Sequence, residues 1–325
     1  MISFNEKDLV MYTKDFNTFT DDILSIFWLI GTFCNFDCFY CSAQPRSKTL
    51  TKEPLIYDII KFIMGLPNKT IIIKIAGGEP TTFNNLSKYI AEISNIAEST
   101  GKNITIDILS NLGRSIQYYK ELFDASQNTS LKFIFSFHRE NISSENFFTK
   151  YYTLAEEYGI DKFTLIYMVH NQKCMEIFKE NIKQYPDMKY KIAPIFGSDN
   201  ILELNPDIKQ TSYNITDTWL VCYKDDQYYS INHKYHKKSV KYFLCPSFDK
   251  LLIINEDGAL KHCITSNEKT YLYYNTPNIY EIIKKKPYIM CKEDKCLCHV
   301  DIPKVKGSHK QLMNMDINKI KELKG

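Results

Sequence analysis

The sequence predicts an α/β protein, a partial (β/α)6 barrel followed by a small C-terminal α+β unit. Three observations carry this. Apolar, β-rich runs alternate with helix-period segments at intervals of about 30 residues. No Asn-Gly or Asp-Gly pair closes a hairpin between the first six runs. Hydrophobic residues make up 44% of the 325, enough for a full core. Strands flanked by helices argue βα units and a parallel sheet. Six units fall short of a closed eight-stranded barrel, so the barrel is open.

The expected strands, in order, are Ser25–Ile30, Thr70–Ala76, Ile104–Ser110, Leu131–Phe137, Phe163–Val169 and Met188–Ile195. Helical stripes lie between them. Leu55, Ile59, Ile60 and Ile63 form the first, and Leu86, Ile90, Ile93 and Ala97 the second. Phe147, Tyr151, Leu154 and Tyr158 form the third, opened by Ser144 as N-cap, and Met175, Phe178 and Ile182 the fourth. After Phe196 the pattern changes. Residues 197–243 interleave aromatics with charge, as in His233-Lys-Tyr-His-Lys-Lys, and read as a connector or lid rather than a single-strand nucleic-acid binder. The run from Leu251 reads as a hairpin turning at Asp257-Gly258, and Asp316 to Lys324 as a short helix. The expected organisation is an N-terminal extension at 1–22, the barrel at 23–200, the connector at 201–243 and a small unit at 244–325.

Composition excludes several classes. Forty-one basic residues against 38 acidic leave a net charge of +3, too balanced to nominate nucleic acid or an anionic membrane as partner. The longest apolar run, residues 23–33, is interrupted by Ser25, Gly31 and Thr32 and falls short of the ~20 residues of a membrane span. The N-terminus has neither a basic n-region nor an apolar h-region, so the expected address is cytoplasmic.

Ten cysteines, at 34, 38, 41, 174, 222, 245, 263, 291, 296 and 298, are the informative number. In a reducing compartment, clustered cysteines point to metal ligands before disulfides. Cys34-Asn-Phe-Asp-Cys38-Phe-Tyr-Cys41 follows the first strand directly. Three soft thiolates suit zinc or iron–sulfur. Structural zinc wants four ligands, whereas an iron–sulfur cluster with one iron free of protein leaves a place for another molecule to coordinate. The second strand ends in Gly77-Gly78-Glu79-Pro80. These glycines let a ligand approach the backbone, Glu79 offers an acceptor for an ammonium group, and Pro80 stops the ladder.

The Cys-x3-Cys-x2-Cys spacing with Tyr40 before the last cysteine, and the Gly-Gly-Glu-Pro after it, resemble the radical S-adenosylmethionine (radical SAM) superfamily. Ser110-Asn111 ending the third strand and Ser136 ending the fourth are weaker matches. The resemblance implies that Cys34, Cys38 and Cys41 hold a [4Fe–4S] cluster whose fourth iron is chelated by S-adenosylmethionine. One electron then breaks a C–S bond, and a 5′-deoxyadenosyl radical takes a hydrogen atom from the substrate. It further implies that the Tyr40 backbone meets the adenine, that Gly77, Gly78, Glu79 and Pro80 orient the methionine amine, and that Asn111 and Ser136 touch the cofactor. The electron would come from an external donor such as flavodoxin or ferredoxin.

The later cysteines resemble the SPASM and twitch domains of that superfamily, through Cys245, Gly258-x4-Cys263 and Cys291-x4-Cys296-Leu-Cys298. The full SPASM pattern is absent, which favours one auxiliary [4Fe–4S] cluster, held by Cys245, Cys263 and two of Cys291, Cys296 and Cys298. A zinc knuckle is the competing reading. Cys174 and Cys222 read as inert thiols.

Three polar residues are catalytic candidates. Lys74 and Asp107 each lie three residues before a strand end and fall side by side if those ends align. His138 follows Ser136 by two and shares its face. His170 and Arg139 are weaker candidates. The expected function is a radical SAM oxidoreductase. Only 33 residues precede Cys34, which favours a small-molecule substrate, such as a sugar or sugar-nucleotide intermediate, over a peptide. A maturase acting on a ribosomally made peptide or protein is the alternative, and a non-catalytic zinc-binding interaction protein the second.

Overall fold

Regular alternation dominates the first two thirds of the chain. The computed structural model describes residues 9–10, 23–41, 50–169, 171–184, 190–194, 222–224, 227–229, 243–245, 251–261, 272–285, 289–290 and 304–306. After Leu9–Val10 (β1) come Ile23–Gly31 (β2), Glu53–Gly65 (α1), Thr70–Gly77 (β3), Leu86–Thr100 (α2), Asn103–Ser110 (β4) and Ile116–Asp124 (α3). Ser130–Phe137 (β5), Ser144–Tyr158 (α4), Phe163–Val169 (β6), Gln172–Gln184 (α5) and Tyr190–Pro194 (β7) follow. Cys222–Lys224 (β8), Gln227–Tyr229 (β9), Phe243–Cys245 (β10), Leu251–Ile254 (β11), Leu260–Lys261 (β12), Ile279–Lys285 (α6), Ile289–Met290 (β13) and Lys304–Lys306 (β14) complete the described elements.

β2 to β7 pair in chain order, each parallel to the next. This is the expected series of βα units. Side chains alternate across the sheet. Ile26, Trp28, Ile71, Ile73, Ile75, Ile104, Ile106, Phe133 and Phe135 are all buried in one cluster with the apolar stripes of α1 to α4. Phe27, Ala76, Leu251 and Ile253 form a smaller cluster on the opposite face. The rings of Phe133, Phe135 and Phe163 stack across β5 and β6, and Tyr119 meets Phe133 and Phe135 edge-on with centroids 5.4 and 5.6 Å away.

Helix ends follow local chemistry. Gly101 terminates α2 with φ of 64° and returns its N–H to the Ala97 carbonyl, the left-handed cap that glycine adopts without strain. The N-cap of α4 is Ser143, whose Oγ accepts from Asn146 N, and not Ser144 as expected. α3 is an addition to the expected helices. Ser115 caps it, and its Tyr119 and Leu122 are fully buried. No described helix is long and apolar enough to cross a membrane.

The hairpin at Asp257-Gly258 forms, with Gly258 at φ of 81° and Asn255 N bonded to Ala259 O. Its first strand, β11, lies parallel to β2, with Leu251 opposite Ser25 and Ile254 opposite Trp28. The hairpin expected in the small unit at 244–325 thus extends the main sheet to eight strands, in the order β12-β11-β2-β3-β4-β5-β6-β7. All four β11 residues are buried, as a wholly apolar run requires of a covered parallel strand. Tyr280 then stacks on Phe62 of α1 at 5.7 Å, and Tyr274 OH donates to Asp58. A second, antiparallel sheet runs β1-β14-β10-β13 and sets Cys245 opposite Ile289.

Candidate functional site

The ends of β2 to β5 bring four loops together, and hydrogen bonds between them build the site. The loop after β2 carries the three expected thiols. Gly78 N donates to Gly31 O and Glu79 N to Phe33 O, both at 2.8 Å. Gly77 has φ of 140°, a region that disfavours side chains, and a Cβ there would overlap the Gly31 carbonyl oxygen. A Cβ on Gly78 would overlap Phe33 O and lie 2.6 Å from Thr32 O. What lies against these two glycines on the side a Cβ would occupy is this chain's own thiol loop.

Glu79 is 2% exposed. Its Oε1 accepts from Thr81 N at 3.0 Å and Thr81 Oγ1 at 2.6 Å, capping the turn that Pro80 opens, and Oε2 accepts from Asn111 N at 2.6 Å. Burial pushes the Glu79 carboxyl above its usual range, with these donors working against the shift. Asn111 Nδ2 donates to Asn35 Oδ1 at 2.8 Å, and its Oδ1 accepts from Gly113 N at 2.9 Å. Leu112, fully buried, holds φ of 56°, a strained value for a side-chain-bearing residue. Lys150 of α4 donates to the carbonyls of Leu112 and Arg114, at 3.4 and 2.9 Å, and pins that turn. Ser110 Oγ lies 3.0 Å from Tyr119 OH and also hydrogen-bonds the Glu79 carboxyl.

Cys38 is buried and Cys34 and Cys41 partly so, and none of the three is in a disulfide. Phe36 N lies 3.4 Å from Cys34 Sγ, and Cys41 N bonds to Cys38 O. From the loop after β5, His138 Nδ1 comes within 3.5 Å of Cys38 Sγ and Asn141 Nδ2 within 3.4 Å. Tyr40 OH sits 3.0 Å from His138 Nδ1 and donates to Glu140 Oε2 at 3.0 Å, while its ring stacks on the imidazole. Burial, and then the neighbouring Cys38 and Glu140, push the Tyr40 hydroxyl well up, so it stays protonated.

Residues 28–182 match the family model described as the Radical SAM superfamily. The chain carries a radical SAM domain. Members of that superfamily are enzymes. Among curated proteins none matches. Among solved structures, anSMEcpe with bound AdoMet and a Kp18Cys peptide is similar at 14% identity and a TM-score of 0.50, over 81% of this chain and 83% of that one. Streptococcus suis SuiB bound to S-adenosylmethionine is similar at 14% identity and a TM-score of 0.49, over 81% of this chain. The alignment spans 66% of the SuiB chain, just under two thirds of its length.

The radical SAM domain gathers Cys34, Cys38, Cys41, Tyr40, Gly77, Gly78, Glu79, Pro80, Asn111 and His138 at one mouth. Ser136 lies on the sheet face turned away from the helices, opposite Ile166. Lys74 and Asp107 are register partners, as counting from the strand ends implied. They are not at the mouth. Each is four residues, or about 13 Å of strand, below Gly78 and Asn111, with Ala76 and Leu109 between. His170, Cys263, Cys291, Cys296 and Cys298 lie outside the described residues, as does the side chain of Cys245. Asn35, Glu140 and Asn141 complete the site and were missed. Their one signal is position, as short polar residues in the loops after β2 and β5.

Proposed function

We propose that this enzyme reductively cleaves S-adenosylmethionine at a [4Fe–4S] cluster held by Cys34, Cys38 and Cys41, and takes a hydrogen atom from a carbon of its substrate. The observation that carries this is that the loop bearing the three thiols is tied to the end of β3 by the backbone bonds from Gly78 N to Gly31 O and from Glu79 N to Phe33 O. The donor set fits the group: three soft sulfurs lie within eight residues of one loop. When bound, the cluster supplies the electron that breaks the sulfonium C–S bond. The chain's own part is to hold and orient. Gly77 and Gly78 admit the thiol loop, Glu79 braces the end of β3 against Asn111, and Asn111 fixes Asn35 of the thiol loop.

We assign one auxiliary [4Fe–4S] cluster to Cys245, Cys263 and two of Cys291, Cys296 and Cys298. The pairing of Cys245 with Ile289 supports it by bringing the backbone that leads to Cys291 alongside β10. For the substrate we adopt a peptide over a small molecule, supported by the peptide held in the anSMEcpe structure. A flavodoxin or ferredoxin serves as electron donor. Anaerobically reconstituted protein tests the reading. It should be brown, bind iron and sulfide, and yield 5′-deoxyadenosine with dithionite. Zinc in place of iron, or unchanged cleavage after Cys34→Ala, Cys38→Ala and Cys41→Ala together, overturns it.

A further inference from the structure

Two side chains of the loop after β5 reach back to a single sulfur. His138 Nδ1 and Asn141 Nδ2 lie 3.5 and 3.4 Å from Cys38 Sγ. Their neighbours settle where the hydrogens are. Tyr40 has one hydroxyl proton and gives it to Glu140 Oε2 at 3.0 Å. Its oxygen therefore meets His138 Nδ1, 3.0 Å away, as an acceptor. Nδ1 carries the hydrogen and shares it between Tyr40 Oη at 3.0 Å and Cys38 Sγ at 3.5 Å, a three-centre bond. Asn141 is oriented in the same way: its Oδ1 accepts from Asp37 N at 3.3 Å, which turns Nδ2 towards the sulfur.

We propose that His138 and Asn141 set the reduction potential of the iron–sulfur centre through two N–H···S hydrogen bonds to Cys38, with Tyr40 and Glu140 locking the imidazole tautomer that makes one of them. The proposal rests on the assignment of Cys38 as a cluster ligand. Its physical basis is charge. Reduction adds one electron and breaks no bond, so negative charge grows on the cluster and its sulfurs. N–H dipoles aimed at a sulfur stabilise that charge more in the reduced form and raise the potential. On this reading His138 is a positioning residue that acts through Cys38, a role separate from the expected substrate or cofactor contact. Asn141 gains a role as well.

The test is a dithionite titration of the full-length reconstituted enzyme, followed on the electron paramagnetic resonance signal that changes when S-adenosylmethionine is added. That choice of signal separates this cluster from an auxiliary one. His138→Phe keeps a ring and removes the donor, Asn141→Ala removes the amide, and His138→Asn returns an amide nitrogen near the position of Nδ1. With iron content unchanged, the Phe and Ala variants should each be about tenfold harder to reduce, a fall of about 59 mV for a one-electron couple. His138→Asn should recover most of that fall. Full iron with an unmoved midpoint in both loss variants overturns the inference and leaves the assignment of the cluster standing. If His138→Phe loses its iron, His138→Asn must keep both iron and potential, and its failure overturns the inference equally. A wild-type protein without iron at the three thiols removes the assignment instead.

Discussion

Substituting Gly78 by alanine isolates the closest backbone approach in the site. A Cβ there would overlap Phe33 O and stand 2.6 Å from Thr32 O, against an ordinary contact of 3.4 Å or more. The thiol loop must therefore retreat by at least 0.8 Å from Thr32 alone, and further at Phe33, the residue before Cys34. The Gly78 N–H to Gly31 and the Glu79 N–H to Phe33 stretch with it. Misplacing a reacting group by about 1 Å costs roughly 10²-fold in rate, or about 2.7 kcal/mol of barrier. Gly78→Ala should thus lower 5′-deoxyadenosine formation about 10²-fold. Gly101→Ala is the control for an added methyl group without a clash: nothing lies within 4 Å of the added Cβ, and its φ of 64° carries a left-handed penalty that Gly78 does not have, so any stability lost by the control is an upper bound for a backbone effect. It should lose about 1 kcal/mol of stability and keep its activity. Thermal melts, iron content and product formation are measured on both. Gly78→Ala within threefold of wild-type turnover, in a protein that melts no lower than the control, refutes the claim that the two loops set the position of the thiols.

Glu79→Gln places an amide N–H₂ among the N–H donors of Thr81 and Asn111 and should cost about 1–3 kcal/mol in chemical denaturation. Because burial raises the Glu79 carboxyl, the folded state holds a proton more tightly than the unfolded one. The stability of wild type relative to Glu79→Gln should therefore fall as pH rises above the ordinary carboxyl value of 4.5, and a difference that rises with pH contradicts this sign. Phe135→Ala empties a fully buried position whose ring packs against both Phe133 and Phe163, and should cost about 3–5 kcal/mol, read as a denaturation midpoint. Lys150→Met leaves the carbonyls of Leu112 and Arg114 without this donor. It should weaken S-adenosylmethionine binding by calorimetry while shifting the melting temperature by only a few degrees, as expected for a loss of about 1 kcal/mol.

Much of the sheet is legible because its strands are buried, β-branched runs with sharp ends. Thr70–Gly77 and Phe163–Val169 agree with expectation to within one residue. The thiol triplet and Gly77-Gly78 stand at strand ends, and counting back from those ends pairs Lys74 with Asp107. Their depth below the mouth was not legible, since it depends on which apolar residues intervene. α3 escaped because nine residues give an apolar stripe little length, and its core residue Tyr119 reads as polar. Tandem serines hid the α4 cap, which only backbone angles distinguish. The pairing of β11 with β2 joins residues more than 220 positions apart, and nothing local in Leu-Leu-Ile-Ile names the sheet it enters. The partners of Glu79 escaped for a related reason. A carboxylate after two glycines suggests an open acceptor, yet Thr81 lies two residues on and Asn111 just past the end of the neighbouring strand β4.

These partners change how the mouth should be read. Residues that a sequence pattern assigns to a ligand are engaged first with one another. The thiol loop is held at Gly31 and Phe33 by the end of β3, at Asn35 by the end of β4, and at Asp37 and Cys38 by the loop after β5. Each tie crosses to a different strand of one parallel sheet, so the positions of the sulfurs are set by the register of β2 to β5. A rigid frame of this kind suits one-electron chemistry, in which the protein must hold a reactive fragment in place and keep water away. It also implies that substitutions far from any thiol, such as one that shifts β4 under Asn111, act on the sulfurs by moving the loop that carries them.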